Sequence, residues 1–259
     1  MRLLMYVLAS LWLAAAARHA VGQQNSNTHC QADALAALGA YRGLVEEHIG
    51  GIRRALRIIA DSDEAKSGTW EKCSPLLAQL SNDLPTDATA WFALPDGAYY
   101  ATETGGDAER NLSDRPYFAT LMSGKEVFGD LIISKSTGHR SVVIAAPVTH
   151  NGKIIGAVGV SLRVRLLSQL VESYVPLPTT SYFYALERDT RIALHRKAER
   201  MFMTPSDIGD EALGADFKQL IKEKTSGSFE YSLHGKRIAA IFQASPALDW
   251  YFFIAKEIP

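Results

Sequence analysis

Apolar side chains recur at two different spacings along this chain, and the spacings separate a long helix from a strand-rich remainder. In residues 31–60 they return mostly every three or four positions, which is typical of an amphipathic helix. The stripe comprises Leu35, Leu38, Leu44, Val45, Ile49, Ile52, Leu56 and Ile59. Gly50-Gly51 weakens this prediction locally, since a glycine costs a helix about 1 kcal/mol. A second, shorter helix is predicted over residues 69–80.

From residue 88 onward, short apolar runs are separated by turn signals, which is typical of antiparallel strands. The clearest signals are Pro95-Asp96-Gly97 and Asn151-Gly152, each lying between apolar runs. The pattern predicts strands on both sides of Pro95, a polar loop over 102–112, and a short helix through 117–121. It then predicts three strands and a helix, over 127–133, 141–148, 154–162 and 166–174.

The last third of the chain repeats this order of elements. Two strands, a helix and three further strands are predicted over 182–186, 191–195, 212–225, 227–233, 237–244 and 250–256. The order strand, strand, helix and three strands therefore occurs twice, which indicates an internal structural repeat. We place the boundary between the repeats near residues 175–180.

The first 22 residues have the pattern of a signal peptide. Arg2 precedes an apolar run over 3–17, which is shorter than the ~20 residues a spanning helix needs. We expect cleavage before Gln23; cleavage after Ala17 also fits, and an uncleaved N-terminal anchor is the alternative. No later segment is apolar for long enough to span a bilayer. The sequence therefore predicts a periplasmic or secreted protein.

Cysteine usage agrees with export. The two cysteines are Cys30 and Cys73, and an even count in an oxidising compartment favours a disulfide. It would close a loop of about 43 residues, worth about 4 kcal/mol in the chain-entropy model. Two free buried thiols are the alternative.

Composition and motifs argue against several classes of function. Net charge is -1, without the basic excess typical of nucleic-acid binders. The seven histidines are scattered without metal-ligand spacing, and no P-loop, dinucleotide-binding, zinc-protease or hydrolase-elbow motif is present. We therefore predict a protein that is not an enzyme and that needs no metal or cofactor.

Several short segments carry a family resemblance. In the first repeat they are Leu112-Ser113-Asp114-Arg115-Pro116-Tyr117-Phe118, Gly129-Asp130, Ser134-Lys135-Ser136-Thr137-Gly138, Ala145-Ala146-Pro147-Val148 and Gly156-Ala157-Val158-Gly159-Val160. In the second repeat they are Ala185-Leu186-Glu187-Arg188-Asp189 and Leu194-His195-Arg196. Together they resemble a double Cache domain, the extracytoplasmic sensor of bacterial chemoreceptors, histidine kinases and diguanylate cyclases. The resemblance covers residues 33–257.

The resemblance implies an α+β fold, in which two tandem PAS-like antiparallel sheets stack along one long N-terminal helix. It divides the chain into a signal peptide (1–22), the helix (23–62), a membrane-distal Cache subdomain (63–175) and a membrane-proximal one (176–259).

The resemblance also places a ligand pocket in the distal subdomain. Arg115 matches the arginine that grips the ligand carboxylate in amino-acid-binding members, which suits a planar guanidinium. Other candidate pocket residues are Tyr117, Phe118, Tyr100, Ser134 and Ser161. Ser161 stands where those members carry the aspartate that holds the ligand ammonium, and Ile132 and Ser134 stand where a polar pair is expected. A carboxylate or a less charged ligand is therefore expected here, rather than a simple α-amino acid.

We expect a sensor that signals through a separate membrane-bound partner, because the chain ends on its last predicted strand. The partner would be a histidine kinase, chemoreceptor or diguanylate cyclase. The resemblance also implies that the long helix can support a homodimer. The alternatives are a structural or protein-interaction module with a vestigial pocket, and a solute-binding protein that serves a transporter.

Overall fold

The computed structural model describes residues 33–259, in which one long helix lies against two antiparallel sheets. The predicted fold class is confirmed. The helices are α1 (33–61), α2 (Asp63–Lys66), α3 (Trp70–Asp83), α4 (Pro116–Met122), α5 (Val164–Tyr174), α6 (Pro205–Ile208) and α7 (Glu211–Glu223). The predicted signal peptide and Cys30 lie outside the described residues. Within 33–259, no helix has both the length and the apolar character that crossing a bilayer requires.

The two sheets share one strand order. The first contains β1 (Ala88–Ala93), β2 (Ala98–Ala101), β3 (Gly106–Asn111), β4 (Val127–Ile133), β5 (Arg140–His150) and β6 (Lys153–Arg163), in the order β3-β2-β1-β6-β5-β4. The second contains β7 (Ser181–Glu187), β8 (Ile192–His195), β9 (Ser226–Leu233), β10 (Lys236–Ser245) and β11 (Trp250–Ile258), in the order β8-β7-β11-β10-β9. Apart from the added edge strand β3, the order is the same, as the repeated order of elements predicts.

Strand β3 replaces part of the polar loop that the sequence predicts over 102–112, so that prediction was wrong for Gly106–Asn111. The strand lies at the edge of the first sheet, and Ala108 is its one buried side chain. An edge strand with exposed charges lacks the apolar alternation by which a strand is recognised.

Helix α1 supplies one apolar face to both sheets. Its buried residues are Leu38, Tyr41, Val45, Ile49, Ile52, Leu56, Ile59 and Ala60. They belong to a single cluster that also contains Phe92 and Val160 of the first sheet and Phe252 of the second. The helix therefore forms a core common to both halves of the chain.

The two ends of α1 contact different sheets. Near its start, the Tyr41 ring lies 4.9 Å from the ring centroids of both Phe183 and Phe252 in the second sheet. Near its end, Arg53 and Arg57 both bind the carboxylate of Glu126, just before β4 of the first sheet. The helix thus fixes the spacing between the sheets.

A direct junction also joins the sheets. The indole Nε1 of Trp250, which is fully buried, donates to the carbonyl oxygen of Gly129 in β4 at 3.1 Å. The backbone N–H of Leu131 donates to Glu187 at 3.1 Å, and Arg191 binds both Glu187 and the carbonyl of Leu131. Strand β4 is therefore held to the second sheet at Gly129 and Leu131, in the middle of the strand.

Cys73 lies in α3 and its side chain is fully buried in the core. Burial, with a smaller contribution from Glu64, raises the pKa of its thiol to about 12. Its predicted partner Cys30 lies outside the described residues, so the disulfide stays a prediction.

Replacing Leu56 with alanine should test the shared core, because Leu56 is fully buried on α1. We expect Leu56→Ala to lower the free energy of unfolding by about 2–5 kcal/mol, since the cavity is only partly refilled. Ile58, two residues away on the same helix and 74% exposed, provides the matched control. Ile58→Ala should change stability by less than about 0.5 kcal/mol in urea denaturation. Equal effects of the two substitutions would contradict the placement of α1.

Candidate functional site

A small pocket lies on the face of the first sheet that is turned away from α1. Successive residues of β1 divide between the two faces, as they must in a strand. Phe92 joins the core around α1, whereas Trp91 and Ala93 join a separate cluster beneath α4. The pocket forms where this second face meets the loop that leads into α4, and its free volume is about 10 Å³. That is about the space needed for one water molecule.

The floor of the pocket is formed by Trp91, Gly159 and Ser161. Strands β1 and β6 are paired so that Trp91 stands opposite Gly159. The Trp91 indole lies across Gly159, in space that any side chain there would fill. Its Nε1 donates to Oγ of Ser161 at 3.2 Å, and both residues are buried. The glycine therefore permits the indole to lie flat, and the serine fixes the position of the indole.

Tyr99, and not Tyr100, faces the pocket. In the hairpin register, Tyr99 stands opposite Ala93 and Tyr100 opposite Phe92, so the two tyrosines take opposite faces. Tyr100 stacks on Trp70 of α3, with ring centroids 5.8 Å apart, on the side of α1. Tyr100 therefore does not line the pocket that the sequence assigned to it.

The loop before α4 covers the pocket and is held by the turn between β1 and β2. Gly97 has φ of +89°, and a side chain there would collide with Asn111 and with the backbone N of Ser113. Because Gly97 leaves this space open, Leu112 N can donate to the Gly97 carbonyl at 2.7 Å. The turn glycine thus lets the covering loop pack directly on the hairpin.

Two positively charged side chains reach the pocket: Arg115 from the covering loop and Lys135 from just after β4. Arg115 Nη2 donates to the carbonyl of Ile133 at 2.6 Å, while its Nε is buried without a hydrogen-bond partner among the described residues. Lys135 binds the Asp114 carboxylate at 2.5 Å and the Asn111 carbonyl at 2.6 Å. The hydrogen bond from Lys135 lowers the pKa of Asp114. These contacts join the cover to β4 and leave the buried Nε–H of Arg115 unused.

The phenol groups of the pocket are neutral donors. Burial raises the pKa of Tyr117, and the positive charge of Arg115 offsets only part of this. Burial likewise raises the pKa of Tyr99. Neither hydroxyl ionises near neutral pH, so each can donate a hydrogen bond to an acceptor.

The structure brings together four of the six residues that the resemblance suggested: Arg115, Tyr117, Ser134 and Ser161. Phe118 packs in the cluster beneath α4 and is not part of the lining. The sequence reasoning missed Trp91, Tyr99 and Lys135, which line the pocket. The hairpin register around Pro95 was a usable signal for Tyr99. Gly159, a glycine inside a strand, was a signal that another group approaches closely.

Substitution of Gly159 should show how tightly the floor is packed. Gly159→Ala places a methyl group in the space of the Trp91 ring, and we expect a loss of about 1–3 kcal/mol from overpacking. Gly39→Ala is the matched control, because no atom lies within 4 Å of the added methyl and Gly39 lies in α1. It should stabilise the protein by up to about 1 kcal/mol. Thermal or urea unfolding measures both changes; a neutral Gly159→Ala would contradict the described floor.

Comparison with known proteins places this architecture in a family. Residues 14–258 match the model of the Cache domain in its double form. Nearly the whole described chain is covered by this match.

Solved structures with the same fold are sensor and receptor domains. The chain is similar to an extracellular ligand binding receptor from Desulfohalobium retbaense, with TM-score 0.68 and 14% identity, over 85% of this chain and 39% of that one. It is similar to the ligand binding domain of the Pseudomonas aeruginosa amino acid chemoreceptor PctB in complex with L-Arg, with TM-score 0.64 and 20% identity, over 89% and 94% of the chains.

A third similar structure is the sensor domain of the histidine kinase DctB from V. cholerae, with TM-score 0.63 and 14% identity, over 87% of this chain and 96% of that one. At these identities the likeness establishes a shared fold, and the family match covers the same residues. The chain therefore belongs to the double Cache family of sensor domains.

Proposed function

We propose that this protein is the ligand-binding part of an extracytoplasmic signalling system, and that its first-sheet pocket takes a small organic carboxylate. Members of the family are extracytoplasmic sensor modules, and similar structures come from chemoreceptors and histidine kinases. A membrane-bound signalling protein of one of these kinds is the partner we propose.

The charge of the pocket is the observation that supports a carboxylate. Its lining contains two cations, Arg115 and Lys135, and no acidic side chain. Arg115 also has a buried Nε–H without a partner among the described residues. A buried donor left unpaired costs about 1–3 kcal/mol, which a ligand oxygen would recover. Hydrogen bonds between a guanidinium and a carboxylate are among the strongest that proteins form.

The ligand we propose has no ammonium group. Ser161, at the position of the acidic residue of amino-acid-binding members, already accepts a hydrogen bond from Trp91. Asp130 lines the groove at the sheet junction and not the pocket. No carboxylate of the lining is therefore placed to hold a positive charge.

Entry of such a ligand requires the cover to move. The free volume of about 10 Å³ is too small for any organic acid. Asp114, one of the groups that hold the cover, is 69% exposed, so its bond to Lys135 is of the weak, solvent-screened kind. We propose that the loop of residues 111–115 opens and then closes over the bound carboxylate.

The same lining supports a role in binding and not in catalysis. General acid–base catalysis works best with a group whose pKa lies near the working pH. The pocket contains no histidine or carboxylate, and burial moves the pKa of Tyr99 and Tyr117 further from neutrality. We therefore propose that the ligand leaves the pocket unchanged.

A thermal-shift screen of the protein against organic acids, amino acids, amines, purines and sugars tests this function. A ligand that binds only the folded state adds about 2.7 kcal/mol at 100 times its dissociation constant. We expect a saturable rise in the unfolding midpoint with at least one organic acid. Arg115→Ala should abolish it, whereas Arg165→Ala, which removes an exposed arginine from α5, should not.

Other outcomes separate the alternatives. No shift from any class of compound, with well-folded protein free of co-purified ligand, would favour an interaction module with a vestigial pocket. If every organic acid that causes a shift still causes it in Arg115→Ala, the ligands bind elsewhere and the proposed site is contradicted.

A further inference from the structure

A second cavity lies in the second half of the chain, between the second sheet and helices α6 and α7. Aromatic and aliphatic side chains form most of its lining, and its free volume is about 20 Å³. Its polar groups are Tyr182, Tyr184, Tyr231, His195 and Arg200. The first-sheet pocket shares none of these residues.

The three tyrosines retain a hydroxyl proton that their mutual contacts do not use. The Tyr231 hydroxyl oxygen lies 3.2 Å from that of Tyr182 and 3.4 Å from that of Tyr184. Two contacts use two protons, whereas three hydroxyls carry three. Burial raises the pKa of each phenol, so all three stay protonated. At least one O–H can therefore donate to another acceptor.

His195 provides a second available donor. Its Nδ1 accepts from the backbone N–H of Lys197 at 2.8 Å, which places the ring proton on Nε2. The ring is 97% buried and stacks on Tyr182 and Tyr184. Burial, with smaller effects of Arg200 and Lys197, lowers its pKa to about 3, so the ring is neutral. Nε2 makes no hydrogen bond to any residue from 33 to 259 and is not fully enclosed, so it is open to the cavity that His195 lines.

Arg200 adds an uncompensated positive charge at this cavity. It ends the short 3-10 turn Ala198–Arg200. Its positive charge has a lowering effect on the pKa of His195, Tyr182 and Tyr231. Within the described chain its side chain forms no ion pair, and no acidic side chain lines the cavity. Glu257, whose negative charge contributes to the raised pKa of Tyr182, is paired with Lys236 at 2.8 Å.

We propose that this second cavity is a binding site for a short-chain monocarboxylate of the size of acetate, propionate or butyrate. The carboxylate lies between Arg200, a tyrosine hydroxyl and the Nε2–H of His195, which together supply one charge and two neutral donors. The alkyl chain packs against Phe217 and the aliphatic side chains around it. The free volume of about 20 Å³ holds only one or two water molecules, so the four-residue helix α6 must move outward to admit even these acids, and a longer chain or a ring would need a larger displacement.

Propionate titration of the isotope-labelled protein, followed by NMR at constant ionic strength, tests this site. We expect saturable shifts centred on β8, β9 and the His195 ring. Propionamide, which has nearly the same shape without the charge, should produce none, and benzoate should fail on size. Arg200→Gln should weaken propionate binding at least about tenfold, because it removes the charged donor. Tyr231→Phe, which keeps the packing and removes one hydroxyl, should weaken it as well.

Two controls separate this site from the first-sheet pocket. Arg165→Gln removes an exposed charge elsewhere and should leave propionate affinity unchanged. Because Arg115 belongs to a pocket that is itself proposed to bind carboxylates, Arg115→Ala serves to remove that pocket, and the shifts centred on β8, β9 and the His195 ring should persist in it. A response that is lost in Arg115→Ala and kept in Arg200→Gln would overturn the second site while supporting the first. The absence of any saturable response to these acids in the millimolar range would also overturn it.

Discussion

Helix α1 is the element on which the rest of the structure depends, because both sheets bury a face against it. Neither sheet has a closed core of its own on that side, since a single cluster of buried residues runs from Phe92 in one sheet to Phe252 in the other. From Tyr41, which contacts the second sheet, to Arg57, beside the first, the helix rises about 24 Å. The distance between the sheets is therefore set by a rigid element and not by a linker.

Much of this arrangement could be predicted from the sequence, because its signals are local. The spacing of Leu38, Val45, Ile49 and Leu56 indicates the helix, and the turns at Gly97 and Gly152 indicate the hairpins. The repeated order of elements then predicts two sheets of one topology. Strand β3 was missed because an edge strand needs little apolar surface. The floor of the pocket was missed because the pairing of Trp91 with Gly159 is a contact between distant parts of the chain.

The candidate site was predictable only as far as the family motif reaches. Arg115 and Tyr117 lie two residues apart in that motif, so a resemblance in sequence suggests both. Tyr100 was assigned to the wrong face because a strand position alone does not show which face is turned to α1. The register of Ala93 with Tyr99 decides this, and it places Tyr99 beside Trp91.

For the ligand that we propose Arg115 to bind, the hydrogen bond from Arg115 to Ile133 would also change the entropy of binding. A free arginine side chain loses about 2 kcal/mol of rotamer freedom when it is fixed. Here one end of the guanidinium is already held by a backbone carbonyl, so much of that loss occurs when the protein folds. A ligand that reaches the unpaired Nε meets a group whose orientation is already set, which favours recognition of planar acceptors.

The contacts of strand β4 with Arg115 and with the second sheet also limit how the strand can move. At Gly129 and Leu131 it is bonded to Trp250, Glu187 and Arg191 of the second sheet, and at Ile133 it accepts the bond from Arg115. Four residues of extended chain, about 13 Å, separate the first of these attachments from the last. Because an extended strand stretches very little, a displacement of Ile133 along the strand would be transmitted to the contacts of Gly129 and Leu131 with the second sheet. The pocket and the second sheet are thus connected by one short segment of strand.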